Sequence, residues 1–387
     1  MIDLASLPVF DHHCHPYDPA KAVLEPWLLA REFHHGMRDI PSDKAPNTWG
    51  MSEELRYHFK NMGVVNTMVC QLARVFKCPA ELDVVTQERN RRASADFAGY
   101  ARFLYEDAKI VGTVLDTGLP KNDPLLNLIP GKKFRLFQVE PLLQKLLTKA
   151  ESYQELLREF QENLEQSVKK EGFIGVKVHL AEQVGFGVMP VLKDEATSIF
   201  PQAKTGNANA YKKLYTAVFT AIMLQCQELG VPVHLHGGFT GGMWNGPIYD
   251  SDPFLLAPFL RRPEFLKTKL VFLHAGYPWT KQAGQLAHTF PNVWVDMSQV
   301  SPWASLLIAE CYRDVMAWAP LSKIVIGSGG HGTPEIAWLA ALTAKIALTE
   351  VLTDAVRLGL MASKSAEEAA RMILRDNAAR LYRLEGT

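Results

Sequence analysis

The chain has 387 residues, with 41 Lys plus Arg against 41 Asp plus Glu, so its formal net charge is zero. That balance argues against nucleic acid or an anionic membrane as partner, because both are bound mainly through excess positive charge. Hydrophobic residues make up 48% and charged residues 21%, which excludes global disorder.

The start, MIDLASLPVF, has no basic segment, so no secretory leader is expected. No uninterrupted apolar run reaches the ~18 residues of a membrane span. The Ala/Leu-rich stretch from Ile336 is cut by Thr343 and Lys345. The five cysteines, Cys14, Cys70, Cys78, Cys226 and Cys311, are scattered and form no CxxC. A reducing, cytoplasmic setting is expected, with Cys14 and Cys311 as inert, buried thiols. The expected partner is a small-molecule substrate; a homo-oligomer is left open.

Eight β-rich runs follow in order: PVFDHH from Pro8, VVNTMVCQLA from Val64, KIVGTVLD from Lys109, FIGVKVHL from Phe173, VPVHLH from Val231, KLVFLHA from Lys269, NVWVDMS from Asn292 and KIVIGSG from Lys323. Most are near-continuous apolar runs, as in parallel strands buried on both faces. Amphipathic segments separate them, among them one marked by Leu214, Val218, Ile222 and Leu229. Alternation of strand and helix eight times predicts an α/β chain folded as a distorted (β/α)8 TIM barrel. One domain is expected over residues 1–387, with helical insertions after strands 1 and 3, at about 16–63 and 117–172.

In such a barrel, chemistry sits at the C-terminal strand ends. Strand 1 ends in Asp11-His12-His13-Cys14-His15. His13 and His15 are two apart and share a face in an extended strand, with His12 and Cys14 on the other face. Two imidazoles at a barrel mouth point to a metal. Strand 4 carries Lys177 and His179. A Lys in an apolar run needs a partner or a modification. Three roles are open for it: a carboxylated bridge between two metals, a substrate-carboxylate anchor, or a buried ion pair. Strand 5 ends in His234-Leu235-His236-Gly237-Gly238, with His236 nearer the mouth as the better ligand and His234 lower in the core. Strand 6 supplies His274, and strand 7 ends at Asp296, which could orient a ligand histidine.

These residues resemble the amidohydrolase superfamily: FDHHCHP, VPVHLHGGF, LVFLHAGYPWTKQAGQLAHTFPNVWVDMS, VIGSGGHGTPE and the terminal DNAARLY carry the likeness over nearly the whole chain. The nearest branch includes domains fused to glutamine-synthetase-like proteins. The resemblance implies a barrel with one or two divalent ions, zinc above others. It implies His13, His15, His236, His274 and Lys177 around the metal, and hydrolysis of a C–N bond, such as a γ-glutamyl amide, by a metal-activated water. One position departs. The family ends strand 8 with an Asp that moves the water's proton, and here Gly329 stands in that place within Gly327-Ser328-Gly329-Gly330-His331. Lys177, His179, His331 or Glu182 could take over proton transfer, and losing such a group typically costs 10² to 10⁴ in rate. Two other functions remain open at this point. One is non-oxidative decarboxylation, with Phe239, Trp244 and Tyr277 stacking on a ring. The other is a metal- or metabolite-binding barrel with weak or no catalysis because of Gly329. Substrate contacts are expected from His179, Trp244 and Tyr277, and catalysis from Lys177, His274 and His331.

Overall fold

The strand runs pair in chain order. The computed structural model describes residues 2–33, 52–238 and 248–384. Its eight strands are β1 (Val9–Cys14), β2 (Ile110–Asp116), β3 (Lys132–Gln138), β4 (Phe173–Val178), β5 (Val233–Leu235), β6 (Leu270–Phe272), β7 (Val293–Asp296) and β8 (Ile324–Val325). All neighbours are parallel, in the order β1 to β8. The ring closes between the chain after β8 and β1. His12 N–H donates to Ile326 O, Ser328 and Gly329 N–H donate to His13 O, and His15 N–H donates to Gly330 O. This is the expected barrel.

Two expectations are corrected. The run from Val64 is not a strand but part of the helix Gly63–Phe76. Its buried residues, Val64, Val65, Met68, Val69, Leu72, Ala73 and Phe76, follow a helical period that overrides the β-branched composition. The third strand, β3, lies inside the segment 117–172 expected to be an insertion. The helical excursion after β1 therefore runs on through Leu82–Ala95 and Phe97–Ala108, well past residue 63.

Strand alternation sorts the side chains. Phe10, Val114, Leu136, Val271, Trp294 and Val325 fill the barrel interior and pack on Ala378, Leu381 and Tyr382 of the terminal helix Asn377–Tyr382. Asn377 fixes that helix by donating from Nδ2 to Leu321 O and Ile324 O. Two residues further along their strands, Asp116, Gln138 and Asp296 follow Val114, Leu136 and Trp294. Strand period thus stacks a polar layer on an apolar one, toward the mouth.

The helix Pro334–Arg357 is long and apolar enough to cross a membrane by composition. It is instead packed against Phe97–Ala108 and Ile308–Met316, and Lys345 is spent on Ala5 O and Ala108 O. All five cysteines are free. Burial pushes the Cys14 and Cys311 thiols up, so both are poor nucleophiles.

Candidate metal centre and active site

The donors gather at the ends of the first two strands. Among the described residues, ligand atoms of His13, His15 and Asp116 all lie within 4.8 Å of one another. A register shift in β1 between Asp11 and Cys14 breaks simple alternation. His12, two residues past the inward Phe10, stays in the barrel, where its ring stacks on His234 at 4.7 Å, and past the shift its neighbour His13 also faces the site, packing on His15 and His274. The expectation that His12 lies opposite His13, away from the site, is replaced by two inward rings at different depths.

The residues present fit a divalent cation. His13 is fully buried, and neither of its ring nitrogens has a hydrogen-bond partner. Such a group is costly unless something binds it. Burial, followed by the nearby Lys177 ammonium, drives His13 well below its ordinary range. Burial also lowers His15 to about 4, against the opposing pull of Asp116. Both rings are therefore neutral near pH 7, as ligands must be. Asp116 is the carboxylate of the set. Burial alone would raise it, but Lys177, then His15 and His179, pull it below the usual carboxylate range. Its Oδ1 accepts from Gln138 Nε2 at 2.7 Å and its Oδ2 from Lys177 Nζ at 3.0 Å. Lys177 is thus in a buried ion pair, one of the three roles left open for it.

A second set of rings continues around the mouth. His236 Nδ1 lies 3.2 Å from His274 Nε2. His274 Nδ1 lies 2.8 Å from Ser298 Oγ, and Ser298 Oγ hydrogen-bonds Asp296. Asp296 also meets His12 Nδ1 at 3.2 Å. Asp296 therefore holds His274 in two ways, accepting from its backbone N–H at 3.3 Å and reaching its ring through Ser298. Its surroundings hold His274 in a strained backbone conformation, with φ 62° at a non-glycine residue. His234 lies deeper, with Nε2 2.8 Å from the Tyr382 hydroxyl, as its lower position predicted. Gly238 is required by close approach, since a Cβ there would stand 2.0 Å from Tyr277 O.

The strand-8 loop explains why a side chain fits poorly at residue 329. Ser328 binds Asp11 through both its N–H and its hydroxyl, and Gly329 N–H donates to His13 O at 2.7 Å. This turns Gly329 to φ +62°, and a Cβ there would come within 2.6 Å of Gln299 Cγ. Gly329→Asp is therefore expected to lower stability by about 1–3 kcal/mol. A urea melt of variant and parent checks it; an unchanged midpoint would mean the loop relaxes freely.

His331 meets His15 edge-on at 5.0 Å and lies 6.1 Å from Trp303, so it belongs to the same mouth. His179 stacks on His236 at 5.1 Å. His236 Nε2 faces Glu182 Oε1 at 3.5 Å. Tyr277 is partly buried against the core, at the turn that follows β6. Trp244 and Phe239 lie outside the described residues. Two carboxylates escaped sequence reasoning. Asp116 ends the run KIVGTVLD, so an acid at a strand terminus was the available signal. Glu140 opens the helix Val139–Lys149 directly after β3, and it was hidden with that strand.

A model of the amidohydrolase family matches residues 157–384. Protein fluG of Emericella nidulans is 25% identical over 351 residues, covering 81% of this chain and 40% of that protein, so the chain spans less than half of its relative's length. A protein from Lactobacillus casei assigned as a metal-dependent hydrolase superposes with TM-score 0.82 at 22% identity, over 99% of this chain and 96% of that one. Uronate isomerase from Thermotoga maritima gives TM-score 0.66 at 13% identity, over 98% and 95%. At these identities the two structural likenesses establish a shared barrel.

Proposed function

The chain belongs to the amidohydrolase family, and from that membership we propose that it is a metal-dependent hydrolase of a C–N bond in a small amide. The observation that carries this reading is the His13–His15–Asp116 cluster, whose ligand atoms converge within 4.8 Å, with the buried ring nitrogens of His13 making no hydrogen bond to the protein. Two neutral imidazoles and one carboxylate are a donor set that suits zinc. A bound cation would supply Lewis acidity, acidifying a water and polarising the substrate carbonyl.

The chain's own residues do the rest. Lys177 holds Asp116 ionised and engages its Oδ2. Asp296 and Ser298 fix the ring of His274, and His274 is in turn within reach of His236. Likeness to the branch fused to glutamine-synthetase-like proteins supports a γ-glutamyl amide as the first substrate to test. The assignment to hydrolysis of the Lactobacillus casei protein agrees with this reading.

The experiment combines metal analysis with product analysis. Protein purified without chelator and loaded with zinc should retain about one equivalent, and His13→Ala should lose it. The loaded parent should release ammonia or amine from γ-glutamyl amides. Release of carbon dioxide from an unsaturated acid, or aldose–ketose exchange on a uronate, would replace the reading. No retained divalent metal, even after reconstitution, would sink it.

A further inference from the structure

Glu140 makes an unusually complete set of contacts to one residue. Its Oε1 accepts from the His179 backbone N–H at 2.7 Å, and its Oε2 lies 3.1 Å from His179 Nδ1. The Tyr215 hydroxyl donates to the same Oε1. Burial would raise this carboxyl, but hydrogen bonds from His179 and Tyr215 hold it below the usual range. An ionised carboxylate is an acceptor only, so the hydrogen it takes from the ring must be on Nδ1. Nε2 is then the ring's other nitrogen, on the side away from Glu140.

That ring borders the metal centre. It stacks on His236, and its side chain is 29% exposed. Residue 179 leaves β4 at φ −102° and ψ 45°, a turn that swings it out of the strand as N-cap of Leu180–Gln183. Gly329, meanwhile, provides no acid on the β8 side. A carboxylate that locks a histidine tautomer is the recurring way to prepare an imidazole for proton transfer.

Building on the hydrolase reading, we infer that Glu140 is a positioning residue that fixes His179 as the Nδ1–H tautomer, and that His179 Nε2 is the site's proton-transfer atom in place of a strand-8 acid. As the water oxygen bonds to the amide carbonyl carbon, one water proton passes to Nε2. When the C–N bond breaks, its electron pair stays on nitrogen, which takes that proton. Amide and water become acid and amine, and His179 ends neutral as it began.

Nitrogen-15 NMR of ring-labelled protein reads the tautomer without turnover, with His179→Ala identifying the resonance. The parent should show the Nδ1–H pattern, Tyr215→Phe should keep it, and Glu140→Ala should mix the two tautomers. With a working amide substrate, His179→Ala and Glu140→Ala should each lower kcat on the order of 10²-fold, with KM within about threefold and metal content unchanged. An Nε2–H pattern in the parent overturns the positioning role whatever the reaction. Parent-like kcat in His179→Ala overturns the proton-transfer role. A parent that shows the Nδ1–H pattern but cleaves no amide overturns the hydrolase reading, and the proton-transfer step with it, while the positioning by Glu140 stands.

Discussion

Asp116→Ala should strip the site of bound metal and destabilise the protein by about 3–5 kcal/mol at once. Each effect has its own cause. Asp116 is the only carboxylate among the three converging donors. Without it, His13 and His15 are two ligands where a catalytic zinc takes three. Loss of a ligand should exceed the 10–100-fold affinity cost typical of a residue that merely supports one. The stability loss comes from Lys177. Both partners are 1% exposed and 3.0 Å apart, so removing the acid leaves an unpaired buried ammonium. Lys177→Met in the same protein should recover much of the stability, because a well-packed apolar chain replaces a stranded charge. It should recover none of the metal. Urea melts and zinc content measured on the parent, Asp116→Ala and the double variant separate the two effects. A double variant that holds zinc like the parent would remove Asp116 from the ligand set.

How much of this the sequence carries depends on each residue's neighbours along the chain. The barrel was legible because most strands are short apolar runs between turns, and parallel burial leaves few alternatives. The second strand was misplaced because Val64, Val65 and Val69 read as β-branched composition. Their spacing, continued by Met68, Leu72 and Phe76, was helical throughout, and period should have outweighed content. β3 was invisible for the opposite reason. KKFRLFQ opens with exposed Lys132 and Lys133 and buries only Arg135, Leu136 and Phe137. A charged start and a short buried centre give no strand signal.

The histidines were found because each stands at the end of a recognisable run. Their carboxylate partners were not, since Asp and Glu are common and their pairing is a matter of space. Asp116 and Lys177 are 61 positions apart, and Glu140 and His179 are 39 apart. Only the barrel's closure and the register of β2, β3 and β4 bring them together. Gly329 was read as a missing acid. In space it is also a backbone position with positive φ, tied to His13 O, which spacing alone does not reveal.

Glu335→Ala should cost about 3–5 kcal/mol as well, although Glu335 lies outside the donor cluster. Its side chain and that of Arg89 are both fully buried, with Arg89 Nε 2.6 Å from Glu335 Oε1. The Tyr100 hydroxyl donates to the same oxygen at 2.9 Å. Arg89 Nη1 reaches further, to Lys21 O at 2.6 Å and Ala22 O at 2.9 Å. One guanidinium thus ties the turn after β1 to the helix that follows β8. The backbone doubles this link, because Asp18 N–H donates to Gly332 O and Gly332 N–H to Pro16 O. Removing the acid leaves the cation buried without its counter-charge, the costly way to break such a pair. The helix that carries Arg89, Leu82–Ala95, provides the comparison. Glu88 pairs with Arg91 and Arg92 at 2.7 Å, but with side chains 66% and 30% exposed. Glu88→Ala should therefore cost no more than about 1 kcal/mol. The distances, 2.6 and 2.7 Å, are nearly equal, and the difference in burial sets the two costs apart. Hydrogen exchange adds a local readout, since the non-proline amides of residues 17–22 and 329–333 should lose protection in Glu335→Ala and keep it in Glu88→Ala. Equal, small costs for the two variants would mean that water reaches Arg89, and the clamp between the two loops would then have to be carried by the backbone bonds at Gly332.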